Sequence, residues 1–249
     1  MKTISQIAIA AAILAFSAPV SASKTDSPIE SSARQSYVFQ VYLKGDDIKI
    51  ESNDGEVILT GVVAKSFHQS LAQETVVGLP GVRSVINRLQ VKEAPPAANS
   101  DAWLLDRVRT TLLFHRSMSA GIIEVKVKDG LVTLRGRAIN QAQKELATGY
   151  VNDVEGVKDV KNEIAVPMGS KKPSRITYAK IDDASITAQV RMMLRYHGST
   201  SALTTSVSTN NGVVTLGGKA GNTAEKALVS KLVGDVYGVK NVANLMTID

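Results

Sequence analysis

The chain has no cysteine. That excludes disulfide staples, thiolate metal centres, a cysteine nucleophile and a lipid-modified N-terminal cysteine, and leaves stability to packed cores. Aromatic residues fill only 4% of the 249 positions, with a single tryptophan. Any core is therefore aliphatic, built from Val, Leu, Ile and Ala. Histidine is equally sparse, limited to His68, His115 and His197, whereas a metal centre requires several convergent ligands. No pairing of a nucleophile with a base recurs along the chain, so nothing points to covalent catalysis. Long apolar runs are missing too. The run from Ile7 to Phe16 covers ten residues, well short of the roughly 20 that cross a bilayer.

What is present begins with that run. Preceded by Lys2 and followed by Val20-Ser21-Ala22, it has the layout of a secretory signal peptide. The expectation is export, cleavage near Ala22 with removal of residues 1–22, and no transmembrane span afterwards. The formal charge is +6, but the excess is local. Residues 23–100 and 101–170 are near balance, whereas residues 171–249 carry ten basic and five acidic side chains. An exported protein rarely meets nucleic acid, so anionic lipid headgroups are the polyanion that suits this charge.

Three copies of one pattern follow. Gly55-Glu-Val57-Ile-Leu59-Thr-Gly61 matches Gly130-Leu-Val132-Thr-Leu134-Arg-Gly136 and Gly212-Val-Val214-Thr-Leu216-Gly-Gly218. Each is followed at the same distance by a Gly-Val pair (Gly81, Gly156, Gly238), and six residues later by Asn87, Asn162 or Asn244. Such self-similarity is the signature of a repeat protein.

Every copy reads alike. Leu104, Val108 and Leu112 keep helical spacing, as do Ile186, Val190 and Leu194; Asp101 and Asp183 suit the helix starts. Two alternating strands joined by Asp-Gly or Asn-Gly predict a hairpin. A second helix opens at Asn140 or Asn222, with an expected core stripe of Ala142, Leu146, Tyr150 and Val151, or Ala224, Leu228, Leu232 and Val233. A last strand closes the unit. The fold class is α+β: three tandem α-β-β-α-β domains, each a three-stranded sheet with two helices on one face. The expected domains are residues 30–92, 101–167 and 181–249, joined by a linker at 93–100 and a basic linker at 168–180. The first copy departs from the pattern, because only five residues separate Leu43 from Ile48, against eleven from Leu112 to Ile123.

The hairpin, the fixed helix length, the Gly-Val pair and the asparagine together resemble the BON domain family. The resemblance implies a periplasmic, non-catalytic protein of envelope maintenance or osmotic stress. It would need no cofactor or metal, and would attach to anionic phospholipid surfaces or to envelope proteins, as a scaffold or holdase in the second case. Gly55, Gly61, Gly81, Gly130, Gly136, Gly156, Gly212, Gly218 and Gly238 are read as turn residues. A phosphate cradle would need a strand running into a helix, whereas Gly55, Gly130 and Gly212 join two strands. Asn87, Asn162 and Asn244 are read as structural amides. For lipid contact the candidates are a flank of the first helices, Trp103, Arg107 and Phe114 with Met192, Arg195 and Tyr196, and the connector residues Lys171, Lys172 and Arg175. A tryptophan beside basic groups suits a membrane interface; the competing expectation is that this flank packs between repeats. His115 and His197 occupy equivalent positions in different copies, so no site within one domain is expected from them.

Overall fold

The computed structural model describes residues 26–118, 123–166, 181–198, 200 and 205–248. The expected signal peptide and Lys171, Lys172 and Arg175 lie outside them. In the second copy α3 (Asp101–Phe114) leads through a 3-10 turn (Arg116–Met118) to β4 (Ile123–Lys128), β5 (Leu131–Arg137), α4 (Gln141–Asn152) and β6 (Asp159–Ala165). The third copy repeats this as α5 (Asp183–Tyr196), β7 (Ser206–Asn210), β8 (Val213–Gly217), α6 (Thr223–Gly234) and β10 (Asn241–Asn244). It adds a short parallel pair, β9 (Lys219–Ala220) with β11 (Thr247–Ile248).

The first copy holds β1 (Asp47–Asn53), β2 (Glu56–Val63), α2 (Ser66–Val77) and β3 (Ser84–Val91). Its shortened connector changes the entry. In place of one long helix stand α1 (Asp26–Gln35) and a π-helical turn (Val38–Tyr42), closed by the Leu43 amide donating to the Val38 carbonyl.

Each sheet has the hairpin's second strand at its centre, antiparallel to the first strand and parallel to the third. The turn residues explain the hairpins. Asp54-Gly55, Asp129-Gly130 and Asn211-Gly212 all have positive φ, the pair of conformations that a two-residue turn matching strand twist demands. Val57, Leu59, Val132, Leu134, Val214 and Leu216 alternate inward and are fully buried, each contributing roughly 1.5–3 kcal/mol of burial.

Two local expectations are corrected. Ser100 and Asp182 are the N-caps. Asp101 and Asp183 stand one residue inside, where their carboxylates accept from the hairpin amides of Asp129 and Gly130, and of Asn211 and Gly212. In the second helices the core side is Ala147, Tyr150 and Val151, matched by Val229, Leu232 and Val233. Ala142 and Ala224 are exposed, and Leu146 and Leu228 half-buried.

The copies do not sit apart on their linkers. One hydrophobic core runs through all three, and α5 is at its centre. Ten of its 14 residues are buried, far more than the single apolar stripe of a surface helix. The polar members of that set are satisfied by neighbours, as burial requires. Ser185 Oγ accepts from the Val38 amide, Thr187 meets Thr209, and Gln189 accepts from the Tyr42 hydroxyl. Gly78, at the end of α2, lets the first copy approach, since a Cβ there would lie 3.3 Å from Ala184. Glu74 of α2 takes both Arg191 and Arg195 of α5, at 3.2 and 3.1 Å.

Candidate functional site

The three asparagines do the same thing in each copy. Asn162 donates to the Lys144 carbonyl (2.7 Å) and to Thr148 Oγ1 (2.6 Å) of α4, and accepts from the Ile164 amide (3.0 Å). Asn244 makes the same set with Lys226, Ser230 and Met246, and Asn87 with Gln69, Gln73 and Leu89. One side chain thus ties the second helix to the last strand. The nine glycines of the repeat pattern all have positive φ. At Gly61 the need is absolute, because a Cβ would stand 2.0 Å from the Asp47 carbonyl oxygen across the hairpin.

The first-helix flank lies at a junction of repeats. Phe114 and Met192 are fully buried, so in this arrangement they reach no lipid. The reason is geometric: α3 and α5 cover each other, and Tyr42 of the first copy packs edge-on against Phe114. Trp103, Arg107 and Tyr196 are half-buried in one stack, with the Arg107 guanidinium 4.3 Å from the Trp103 ring centre and 5.4 Å from that of Tyr196. Arg107 also pairs with Glu155 at 3.2 Å. Phe67, Pro95 and Pro96 complete a shallow cleft against Trp103 and Tyr196. Arg195 is half exposed beside Glu74.

Sequence reasoning set the two interior histidines aside, and the fold brings them together. His115 ends α3 and His197 ends α5, each extended at its cap. Each enters an isolated antiparallel bridge with the other copy, His115 with Val236 and His197 with Val154. The Arg116 amide donates to the Asp235 carbonyl (2.7 Å), and Gly198 to Asp153 (2.8 Å). The second and third copies therefore meet around a local twofold relation, with both rings at its centre. The Nε2 atoms are 3.4 Å apart. His197 Nδ1 lies 2.7 Å from Asp153 Oδ2, and His115 Nδ1 3.3 Å from Asp235 Oδ2.

Exposure of the two histidines is 0% and 2%. Tyr150 stacks flat on His115, with ring centres 3.6 Å apart, and its hydroxyl donates to Asp235 at 2.9 Å. Ser117 donates to the same oxygen. Burial opposes charge on Asp235, but the donors His115, Ser117 and Tyr150 outweigh it and hold the carboxyl below its ordinary value. Burial lowers His115 below the ordinary imidazole value, against the pull of Asp235 and with the push of His197. Burial also raises the Tyr150 phenol.

A signal for this cluster was present in the sequence: His115 to Asp153 and His197 to Asp235 share one spacing, while the first copy has Gly78 at the aspartate position. Beside the pair, Leu146, Leu228 and Leu232 wall an apolar cleft between α4 and α6, with His197 and Asp153 in its lining. Among the described residues no group of three or more ligating side chains could hold a metal, and no helix is long and apolar enough to cross a membrane.

Comparison with known proteins fits this geometry. The BON domain model matches residues 25–93, 100–168 and 182–249. The osmotically-inducible protein Y of Escherichia coli strain K12 is 28% identical over 143 residues, 56% of this chain and 71% of that one. The outer membrane lipoprotein DolP of Haemophilus influenzae is 31% identical over 111 residues, 44% of this chain and 57% of that one. A structure of CdsD, a structural protein of the type III secretion system of Chlamydia trachomatis, aligns over 89% of this chain and 90% of its own. Its identity is 16% and its TM-score 0.24. With the hairpin, the turn glycines and the bridging asparagine in register three times over, the chain belongs to the BON domain family.

Proposed function

We propose that this chain is a non-catalytic periplasmic protein of the envelope, serving under osmotic stress and adhering by charge to anionic phospholipid surfaces. One observation carries the reading. Residues 171–180 hold Lys171, Lys172, Arg175 and Lys180 and no acid, four of the six net positive charges of the chain. Basic side chains near an anionic surface contribute about 1 kcal/mol each. Deep insertion of the first-helix aromatics is not part of the proposal, because Phe114 and Met192 are interior.

A flotation assay with anionic and neutral vesicles tests it. The intact chain should float with anionic vesicles only, and release as salt shortens the range of charge attraction. Reversal of Lys171, Lys172 and Arg175 to Glu should weaken binding at least about 100-fold, from three contributions of about 1 kcal/mol each. Equal binding of that variant, or salt-insensitive flotation, refutes the proposal.

A second reading, attachment to an envelope protein, is favoured by the outward sheet face of the third copy. The second copy presents Glu124, Lys126, Lys128, Arg135, Asp159, Lys161 and Glu163 there. The third has Ser206, Ser208, Asn210, Gly217, Asn241, Ala243 and Leu245 at the same positions. Charge on an open face opposes unwanted association; the first copy keeps Lys49, Glu51 and Arg88 there, and the complete loss of charge in the third suits a docking face. Salt-insensitive recovery of one defined envelope protein, lost on Ala243→Lys, would support this reading.

A further inference from the structure

The histidine pair has four ring nitrogens and a fixed set of partners. A carboxylate facing each Nδ1 calls for an N–H on both. The two Nε2 atoms face each other at 3.4 Å, and one proton between them makes a hydrogen bond. Three protons therefore match four nitrogens, with His115 Nδ1 held to Asp235 by an ion-pair contact at 3.3 Å rather than by an aligned hydrogen bond. A fourth would set two N–H groups head to head, in a site that is 0% and 2% exposed and where, among the described residues, neither Nε2 meets an acceptor other than the facing ring. Unpaired buried charge of this kind is strongly destabilising.

The rings cannot turn aside within the closed junction. Tyr150 covers one face of His115, and both histidines are backbone members of the bridges that join the copies. We infer that the junction of the second and third repeats is a proton-operated latch, closed while the His115–His197 pair holds three protons or fewer and released by the fourth.

Charged and polar groups surround the pair on every packed element. Asp153 at the end of α4 and Asp235 at the end of α6 each meet one ring. From the 3-10 turn, Ser117 donates to Asp235, while the Arg116 guanidinium donates to the Gly234 and Val239 carbonyls. Glu145 and Lys231 line the cleft between α4 and α6 beside His197. The lowered proton affinity of His115, caused first by burial, fixes the sign. Its contribution to the closed junction is present above 6.5, the ordinary imidazole value, and is lost as pH falls through the depressed one.

Small-angle scattering of the full chain from pH 8 to pH 4.5 tests the latch. The radius of gyration should rise with a midpoint below 6.5 while far-UV dichroism stays constant, as folded repeats separate. The double substitution His115→Gln, His197→Gln should abolish the rise. In the unsubstituted chain, imidazole ¹⁵N resonances should show the last ring nitrogen of the pair protonating at the same midpoint as the expansion. That measurement holds even if the variant does not fold. A constant radius down to pH 4.5, an unchanged rise in a folded variant, or two rings titrating independently of the expansion overturns the inference.

Discussion

Replacing Asn162 by alanine tests whether the recurring amide is a structural tie. The substitution deletes two donated bonds and one accepted bond. At a net 0.5–1.5 kcal/mol each, three bonds are worth roughly 1.5–4.5 kcal/mol. Thr148 can turn its hydroxyl elsewhere, but the Ile164 amide on β6 is left unpaired, so a loss of about 2–4 kcal/mol is expected. Asn244→Ala should match it. Asn87→Ala should cost less, because one of its bonds goes to the exposed end of Gln73. Asn162→Asp is the discriminating change: it keeps the acceptor for Ile164 but loses both donors and sets a charge against the Lys144 carbonyl. Near neutral pH it should be at least as damaging as alanine. Part of the loss should return as pH falls through about 4, where a protonated carboxyl can donate again. Urea unfolding followed by circular dichroism and by Trp103 fluorescence measures all four variants. An alanine effect below about 0.5 kcal/mol, the scale of an ordinary surface substitution, or a neutral aspartate variant, would refute the reasoning.

Gly61→Ala should cost about 3 kcal/mol or more, from positive-φ strain and the clash with the Asp47 carbonyl. Gly149→Ala, in open space on α4, should instead stabilise by about 0.5–1 kcal/mol, and thermal melts of both decide. Trp103→Ala should destabilise by about 2–3 kcal/mol, less than a fully buried ring, because the ring packs against Arg107 and beside Gly156. In the intact chain Trp103 emission should not shift on adding vesicles; a blue shift would mean the stack opens onto lipid.

The α-β-β-α-β order was legible in the sequence because its causes are local. Asp129-Gly130 dictates a turn and Val132 and Leu134 an inward face, whatever the rest of the chain does. Ala142 and Leu146 show where such reading stops. Their spacing is helical, but helical spacing cannot say which of two apolar surfaces they serve, and they face the cleft beside α6 rather than the sheet core. The same limit hid the histidine pair. Equivalent residues in different copies look remote when each copy is read alone, yet a twofold relation between copies is what makes equivalents meet. The π-helical turn of the first copy follows from six missing residues that the sequence did reveal, but its docking against α5 is set by that helix.

A chain is made from its N-terminus, and α5 comes late in this one. Until Asp183–Tyr196 has emerged, α2, the π-helical turn and α3 have their sheets and a few contacts with one another, but not the helix that most of their outer faces pack on. The first two thirds must wait with those apolar faces bare, a condition in which young chains aggregate or are taken up by chaperones. Premature termination after the second copy would thus leave more than a shorter protein. It would leave two folded pieces with an open seam between them, and the seam is shaped for a helix they do not have.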